Sequence, residues 1–308
     1  MPTSLLPKVN LNIRGEKLKI RGYWLASGIL GVAASTMIRV MNSGADAVVT
    51  KSIGSSPRKG HAGPVLTASH GGLLNAVGLT NPGIDAFEEE MKLLNKASIP
   101  VIISIFGNTP EEIAQIVEKA VKMEPVAIEL NLSCPHAEIS QISHSPTLTF
   151  DFVKSAKDVT DIPIFAKLTP NASDYVSVGE AAQEAGADAI VAINTVRGMR
   201  IDIHQQRPIL GNTVGGLSGP SIFPITVRCV FDLYRALSIP IIGVGGVSSW
   251  EDAVELHLAG ASAIQIGTAV MNDMDVFSKV KSGVTKYIEE LGLDSVDDII
   301  GAGVRSET

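Results

Sequence analysis

An amide, a hydroxyl and a thiol stand together at the end of an apolar run in Ile128-Glu129-Leu130-Asn131-Leu132-Ser133-Cys134-Pro135-His136. Proline at 135 drives the backbone out of regular structure directly after the thiol. A buried strand that presents reactive side chains at its C-terminal end is how a parallel barrel assembles an active site. Other apolar runs finish in the same manner. Lys51 follows one, Lys167 sits near the end of another, Asn194-Thr195 closes a third, and Gly245-Gly246 and Gly267-Thr268 close two more. A glycine turn leading into a helix exposes backbone N–H groups where the helix dipole favours an anion. Gly243-Val-Gly-Gly246, followed one unit later by Ile266-Gly-Thr268, therefore reads as a phosphate cradle. Two lysines and a set of asparagines above it suit a flavin and a planar, acceptor-rich substrate.

The elements that must position these groups repeat along the chain. A short β-rich run, a Gly/Asn/Ser/Pro tip and a stretch of helical period recur with strands expected at Tyr23–Ala26, Ala47–Thr50, Val101–Ile105, Ala127–Asn131, Ile164–Leu168, Ala189–Asn194, Ile241–Val244 and Ala263–Gly267. Thr109-Pro110-Glu111-Glu112 supplies a cap, an N1 proline and early acids, and Ser173-Asp174 and Ser249-Trp250-Glu251-Asp252 mark two more helix starts. Gly44, Gly186 and Gly260 each stand where a helix ends just before the next strand. Eight such units without a linker favour a closed (β/α)8 TIM barrel of the α/β class over an open parallel sheet, with residues 1–308 as a single domain. In a closed barrel every strand end faces one side, so the tip residues would converge on one pocket. Lys8 to Ile20 alternates apolar and polar residues around Arg14-Gly15-Glu16-Lys17 and reads as an N-terminal β-hairpin closing the N-terminal mouth. Residues 196–219 read as a long connection, of the kind that carries function.

Composition narrows the classes. Hydrophobic residues make up 45 % of the chain, which indicates a large core, and a net charge of −7 without a basic cluster argues against a nucleic-acid footprint. Cys134 and Cys229 sit in unrelated contexts and read as reduced thiols, with Cys229 in a helical core pattern. The run near Tyr23 to Ala34 is broken by Ser27, Gly28 and Gly31 and is too short to span a bilayer. The N-terminus lacks the layout of a signal peptide, so a soluble cytoplasmic protein is expected. Cys134, His136 and His144 lack a fourth ligand at zinc spacing, and no metal is expected. Plainer roles exist for the tip residues too: salt bridging for Lys51 and Lys167, turn capping for Asn131 and Asn194, an inert core thiol for Cys134. Glu88 to Glu90 read as a solvated helix face.

Asn131-Leu-Ser-Cys-Pro135 is similar to the active-site loop of the dihydroorotate dehydrogenases, and the resemblance extends over almost the whole chain. It includes Ala26-Ser27-Gly28, Thr50-Lys51-Ser52, Asn75-Ala-Val-Gly-Leu-Thr-Asn-Pro-Gly83, Ala166-Lys-Leu-Thr-Pro-Asn171, Ile193-Asn-Thr195, Gly198-Met-Arg200, Arg207-Pro-Ile-Leu210, Gly215-Gly-Leu-Ser-Gly-Pro220, Gly243-Val-Gly-Gly246 and Ile266-Gly-Thr268. The resemblance implies an FMN-bearing barrel that oxidises dihydroorotate to orotate in pyrimidine synthesis. Cysteine rather than serine at 134 resembles the soluble class 1 branch. Cys134 would then be the base that removes the C5 proton while a hydride leaves C6 for the flavin. Substrate binding would fall to Lys51, Asn75, Val77, Gly78, Leu79, Asn131, Asn194 and Thr195. The cofactor would meet Ala26, Ser27, Lys51, Ser52, Asn131, Lys167 and Ile193, with Gly219, Gly245, Gly246, Gly267 and Thr268 at its phosphate.

Two positions depart from the family pattern. His136 replaces the usual asparagine and matches the pyrimidine-reducing barrel of dihydropyrimidine dehydrogenase, which makes an FMN-dependent reductase of that kind the alternative reading. Ser104 stands where many relatives place a flavin-contacting asparagine. The segments around 198–220 resemble the class 1 enzymes that pair with an FAD/iron–sulfur subunit, which implies a homodimer or a heterotetramer with such a partner. Two scattered cysteines cannot themselves hold a cluster. The electron acceptor, whether fumarate or NAD through a partner, is not legible.

Overall fold

The structure is a computed structural model that describes residues 5–6, 8–13, 16–132 and 144–305, with the backbone alone for the two strands between 8 and 21. Eight strands close a barrel: Tyr23–Leu25, Ala47–Val49, Val101–Ile105, Ala127–Asn131, Ile164–Leu168, Ala189–Ala192, Ile241–Val244 and Ala261–Ile266. They run in chain order around the barrel, every neighbour is parallel, and the eighth strand pairs with the first. A helix follows each strand, from Ala34–Asn42 after the first to Val276–Glu290 after the eighth. Six of the eight expected strands differ from the observed ones by at most a residue at either end; the sixth stops two residues early at Ala192 and the eighth starts two early at Ala261.

Period-two alternation along each strand sorts the side chains. Leu25, Val48, Ile103, Ile128, Ala166 and Ile190 join the large core between barrel and helices, whereas Trp24, Val49, Ile102, Ala127, Phe165 and Val191 fill the barrel itself. Trp24 and Phe165 lie nearly parallel, with ring centroids 6.2 Å apart, and the small side chains Ala47, Ala127, Ala189 and Ala263 make room for them. The helix signals hold in detail. Thr109 accepts a hydrogen bond from the Glu112 amide, Asp174 from the Ser177 amide, and Ser249 and Asp252 form a reciprocal capping box. Gly260 takes the left-handed conformation at φ 118° that ends its helix.

The N-terminal hairpin is present, with Lys8–Ile13 antiparallel to Glu16–Arg21, and it leads directly into the first barrel strand. The connection expected at 196–219 is not an open loop. Val196–Gly198 and Gly215–Ser218 pair with each other, and the second of them pairs with Gly72–Asn75, which pairs in turn with Leu66–Ser69. Ile201–Asp202 and Arg207–Pro208 add a small antiparallel ladder. This four-stranded sheet draws on the segments after the second and sixth barrel strands, so it stands over the C-terminal mouth. Leu74, Ala76 and Leu210 give it a small core of its own. One helix-face expectation also changes. Glu88 and Glu89 are exposed, but the Glu90 carboxylate accepts a 2.5 Å hydrogen bond from the Ala34 amide and so caps a neighbouring helix.

Candidate active site

The fourth strand ends at Asn131, whose side chain follows Ala127 and Glu129 into the barrel by alternation. Asn131 Nδ2 donates to Ser52 Oγ at 3.0 Å, and Asn194 Nδ2 donates to Asn131 Oδ1 at 3.2 Å. Asn194 Oδ1 accepts from the Thr195 amide at 2.7 Å. Ser52 Oγ lies 2.9 Å from Ser104 Oγ and 3.5 Å from Ser27 Oγ. The Ser104 amide in turn donates to Thr50 Oγ1 at 2.9 Å. One continuous chain of side-chain hydrogen bonds thus crosses the mouth from the tips of the first, second and third strands to those of the fourth and sixth. Residues separated by up to 168 positions, from Ser27 to Thr195, meet because parallel strands end on one side.

Asn75 reaches the same region from the sheet over the mouth, where its Nδ2 donates to the Gly216 carbonyl at 3.1 Å. A Cβ on Gly216 would fall 2.0 Å from Thr195 Oγ1, so glycine there lets this sheet close onto the asparagine chain. Val77, Gly78 and Leu79 lie on the following loop, which packs against His61: the His61 amide donates to the Val77 carbonyl at 3.1 Å. Asn81 pins that loop, accepting from the Gly54 and Gly83 amides at 3.2 and 2.9 Å. Lys51, half-buried at the second strand's tip, has its ammonium pKa lowered by burial. Its amide donates to the Gly31 carbonyl at 2.8 Å.

Lys167 sits beside Asn131 in the strand register and is nearly enclosed, at 5 % exposure. Its ammonium lies 3.3 Å from Glu129 Oε1 and donates to Gln265 Oε1 at 3.5 Å, and Gln265 Nε2 donates to Glu129 Oε2 at 2.8 Å. The salt-bridge role open to Lys167 is therefore real, yet it is made inside the barrel rather than on a surface. Glu129 and Gln265 were not singled out from the sequence. The available signal was parity: both stand two residues from an interior position on an otherwise apolar strand.

The glycine-rich tips occupy the other side of the mouth. Gly245 and Gly246 adopt φ 134° and 84°, and a Cβ on them would come within 2.5 Å of Thr226 Oγ1 and 2.7 Å of Phe223. Packing of the following helix alone demands glycine at both. Gly267 differs. A Cβ there would meet Ala26 Cβ at an ordinary 3.4 Å and Ile29 at 3.8 Å, so nothing in the protein requires its absence. A glycine the fold does not need, beside buried Ala26 and Thr268, leaves room for a ligand to press against the backbone. Thr268 Oγ1 donates to Ser218 Oγ at 2.8 Å, which ties this tip to the sheet and to Gly219. Ile193 is buried, and its amide donates to the Val244 carbonyl at 2.7 Å. Cys134, with Ser133, Pro135 and His136, lies outside the described residues.

A closed parallel barrel whose polar side chains converge at the C-terminal mouth defines the class: a (β/α)8-barrel enzyme. The chain belongs to the dihydroorotate dehydrogenase family, a family of oxidoreductases that act on CH–CH bonds with a flavin, whose model matches residues 11–288. It is 48 % identical over 294 residues to a protein of Methanosarcina acetivorans named dihydroorotate dehydrogenase B (NAD(+)), catalytic subunit, with 94 % of each chain covered. Proteins of the same name from Pyrococcus horikoshii and Methanothermobacter thermautotrophicus are 50 % and 47 % identical, over 91 % and 90 % of this chain and 93 % and 92 % of theirs. Among the described residues, no helix is long and apolar enough to cross a membrane.

Proposed function

We propose that this chain oxidises dihydroorotate to orotate in pyrimidine synthesis as one FMN-binding domain spanning residues 1–308. The observation that carries the reading is the hydrogen-bonded chain Ser104–Ser52–Asn131–Asn194–Thr195 across the barrel mouth, with Lys51 and Lys167 beside it. The family match and the names of the relatives support the same substrate.

The donor set fits FMN. Gly267 leaves space no packing demands, Gly219, Gly245, Gly246 and Thr268 would offer backbone amides to the phosphate, and Lys167, enclosed at 5 % exposure, would offer its ammonium to the ring. When bound, FMN supplies the hydride acceptor. Lys51 and Lys167 provide the positive charge that favours a reduced, anionic ring, an effect strengthened by their removal from water. Ala26, Ser27, Ser52 and Ile193 line the cofactor. Asn75, Asn131, Asn194 and Thr195 hold a ligand rich in carbonyls and ring amides, because each asparagine offers both a donor and an acceptor. Val77, Gly78 and Leu79 meet the substrate through the loop that Asn81 pins. Cys134, three residues beyond Asn131, accepts the C5 proton. A free thiol titrates at about 8.5, so the thiolate is the minor form at neutral pH and activity should rise toward alkaline pH.

The relatives' shared name as a catalytic subunit supports a partner, and an FAD/iron–sulfur subunit in a heterotetramer is the assembly we infer, in the cytoplasm. Anaerobic mixing of the FMN-bearing protein with dihydroorotate should bleach the flavin within the turnover time, while dihydrouracil should not. Bleaching by dihydrouracil alone would overturn the substrate in favour of a pyrimidine reductase.

A further inference from the structure

Below the hydrogen-bonded mouth the described barrel interior is mainly apolar, and Glu129 and Gln265 interrupt it. Glu129 is 0 % exposed and Gln265 is 0 % exposed, and strand alternation puts both on the same side as the interior residues Ala127 and Ala263. Burying a carboxylate in such surroundings costs several kcal/mol unless a partner compensates it. The compensation here comes from Lys167, at 3.3 Å from Glu129 Oε1. That oxygen accepts no hydrogen bond among the described residues, so it meets the ammonium as a charge rather than through a well-aligned N–H. The other oxygen is held by Gln265 Nε2 at 2.8 Å, and the same amide turns its Oε1 to within 3.5 Å of Lys167 Nζ. If stability alone were selected, a leucine at 129 would fill this space at lower cost.

We propose that Glu129 and Gln265 are positioning residues that seat the Lys167 ammonium against the cofactor and set how much of its positive charge the cofactor feels. The inference rests on the FMN reading above. An ammonium has three N–H donors. Gln265 Oε1 takes one of them and Glu129 Oε1 meets the ammonium as a charge at 3.3 Å, which leaves donors free to turn toward Asn131, the neighbour of Lys167 in register. The carboxylate also offsets the ammonium, so a reduced, anionic ring is stabilised by a partly cancelled charge. Removing the carboxylate raises the cofactor's reduction potential. Adding a second one lowers it.

The test uses Glu129→Gln, which keeps shape and removes charge, and Gln265→Glu, which keeps shape and adds it. Both are reconstituted with FMN and titrated to their midpoint potentials by dye equilibration. Glu129→Gln should favour the reduced form at least about threefold and Gln265→Glu should disfavour it similarly, each tenfold change in this two-electron equilibrium corresponding to about 30 mV. A merely structural role would change FMN content or Tm without opposite shifts in potential. Variants that hold FMN with the wild-type potential, or that shift in the same direction, overturn the proposal and leave the FMN reading standing. A wild-type protein that takes up no FMN overturns both. Should Glu129→Gln fail to fold, the sign of the Gln265→Glu shift decides alone.

Discussion

Stability should fall between neutral pH and pH 5 because of one histidine at the seam where the barrel closes. His257 is fully buried; its Nε2 lies 3.0 Å from the Tyr23 hydroxyl on the first strand, and its Nδ1 lies 2.6 Å from the carbonyl oxygen of Ala261, where the eighth strand begins. A carbonyl only accepts, so Nδ1 carries the hydrogen and Nε2 accepts from the tyrosine. Protonating Nε2 would set a donor against the hydroxyl and strand a charge in the core. Burial accordingly pushes the imidazole pKa down to about 4. The unfolded chain titrates this group at about 6.5, so between those two values the unfolded state binds more protons and stability falls as pH falls. From pH 8 to pH 5 the difference amounts to about 2 kcal/mol. Urea unfolding of wild type and His257→Gln across that range tests it. The variant is less stable at pH 8, since the Tyr23 hydroxyl loses its partner, but the gap narrows by about 2 kcal/mol at pH 5. Parallel pH profiles for the two proteins would refute the argument.

Gly267→Ala should leave unfolding free energy within about 1 kcal/mol of wild type while flavin content drops; Gly246→Ala, forced to φ 84° with its Cβ 2.7 Å from Phe223, should lower Tm as well. Thermal melts with flavin absorbance separate the two outcomes. Ser52→Ala strips Asn131 Nδ2 and Ser104 Oγ of their shared partner, a loss of about 1–3 kcal/mol that should reduce kcat/KM roughly ten- to hundredfold, and a loss under about twofold would count against the hydrogen-bonded chain as substrate scaffold. The pH profile of kcat/KM should rise toward a thiol pKa of about 8.5 and fall again below the ordinary lysine range of about 10.4, because burial lowers the Lys51 pKa. Steady-state rates of Cys134→Ser should lose the thiol limb, and a wild-type profile flat from neutral to alkaline pH would exclude thiolate catalysis.

The barrel was legible because its signals are local. Thr109, Asp174 and Ser249 cap helices within three residues, and Gly44, Gly186 and Gly260 follow their ends within two. The sheet over the mouth was not legible. Gly72–Asn75 and Gly215–Ser218 pair across about 140 residues, and their glycines carry little strand propensity. Those same glycines are what let the backbones approach: a Cβ on Gly72 would fall 1.9 Å from the Ser218 carbonyl oxygen. What weakens the strand signal in sequence is what permits the pairing in space. Glu90 was misread for a related reason. Helix periodicity places it on a polar face, but only the tertiary fold brings the Ala34 amide to it.

The site was legible at its rim and hidden one layer down. Asn131, Lys51 and Asn194 stand at strand ends, where a polar residue after an apolar run is conspicuous. Glu129 and Gln265 stand inside strands, where each reads as a blemish in an apolar pattern. Alternation supplies the missing inference. Residues 127, 129 and 131 share one face, as do 165 and 167 and 263 and 265, so a polar side chain at an interior parity has nowhere to go but the barrel. The result is a graded interior: a stacked Trp24–Phe165 plug, then the Glu129–Lys167–Gln265 layer, then the hydrogen-bonded mouth. Surface charge there would be screened by water, whereas charge on an apolar floor acts at low dielectric and over longer reach. A buried carboxylate that stability disfavours is thus best explained by the ammonium it governs, and that ammonium, on the flavin reading proposed above, by the ring it would serve.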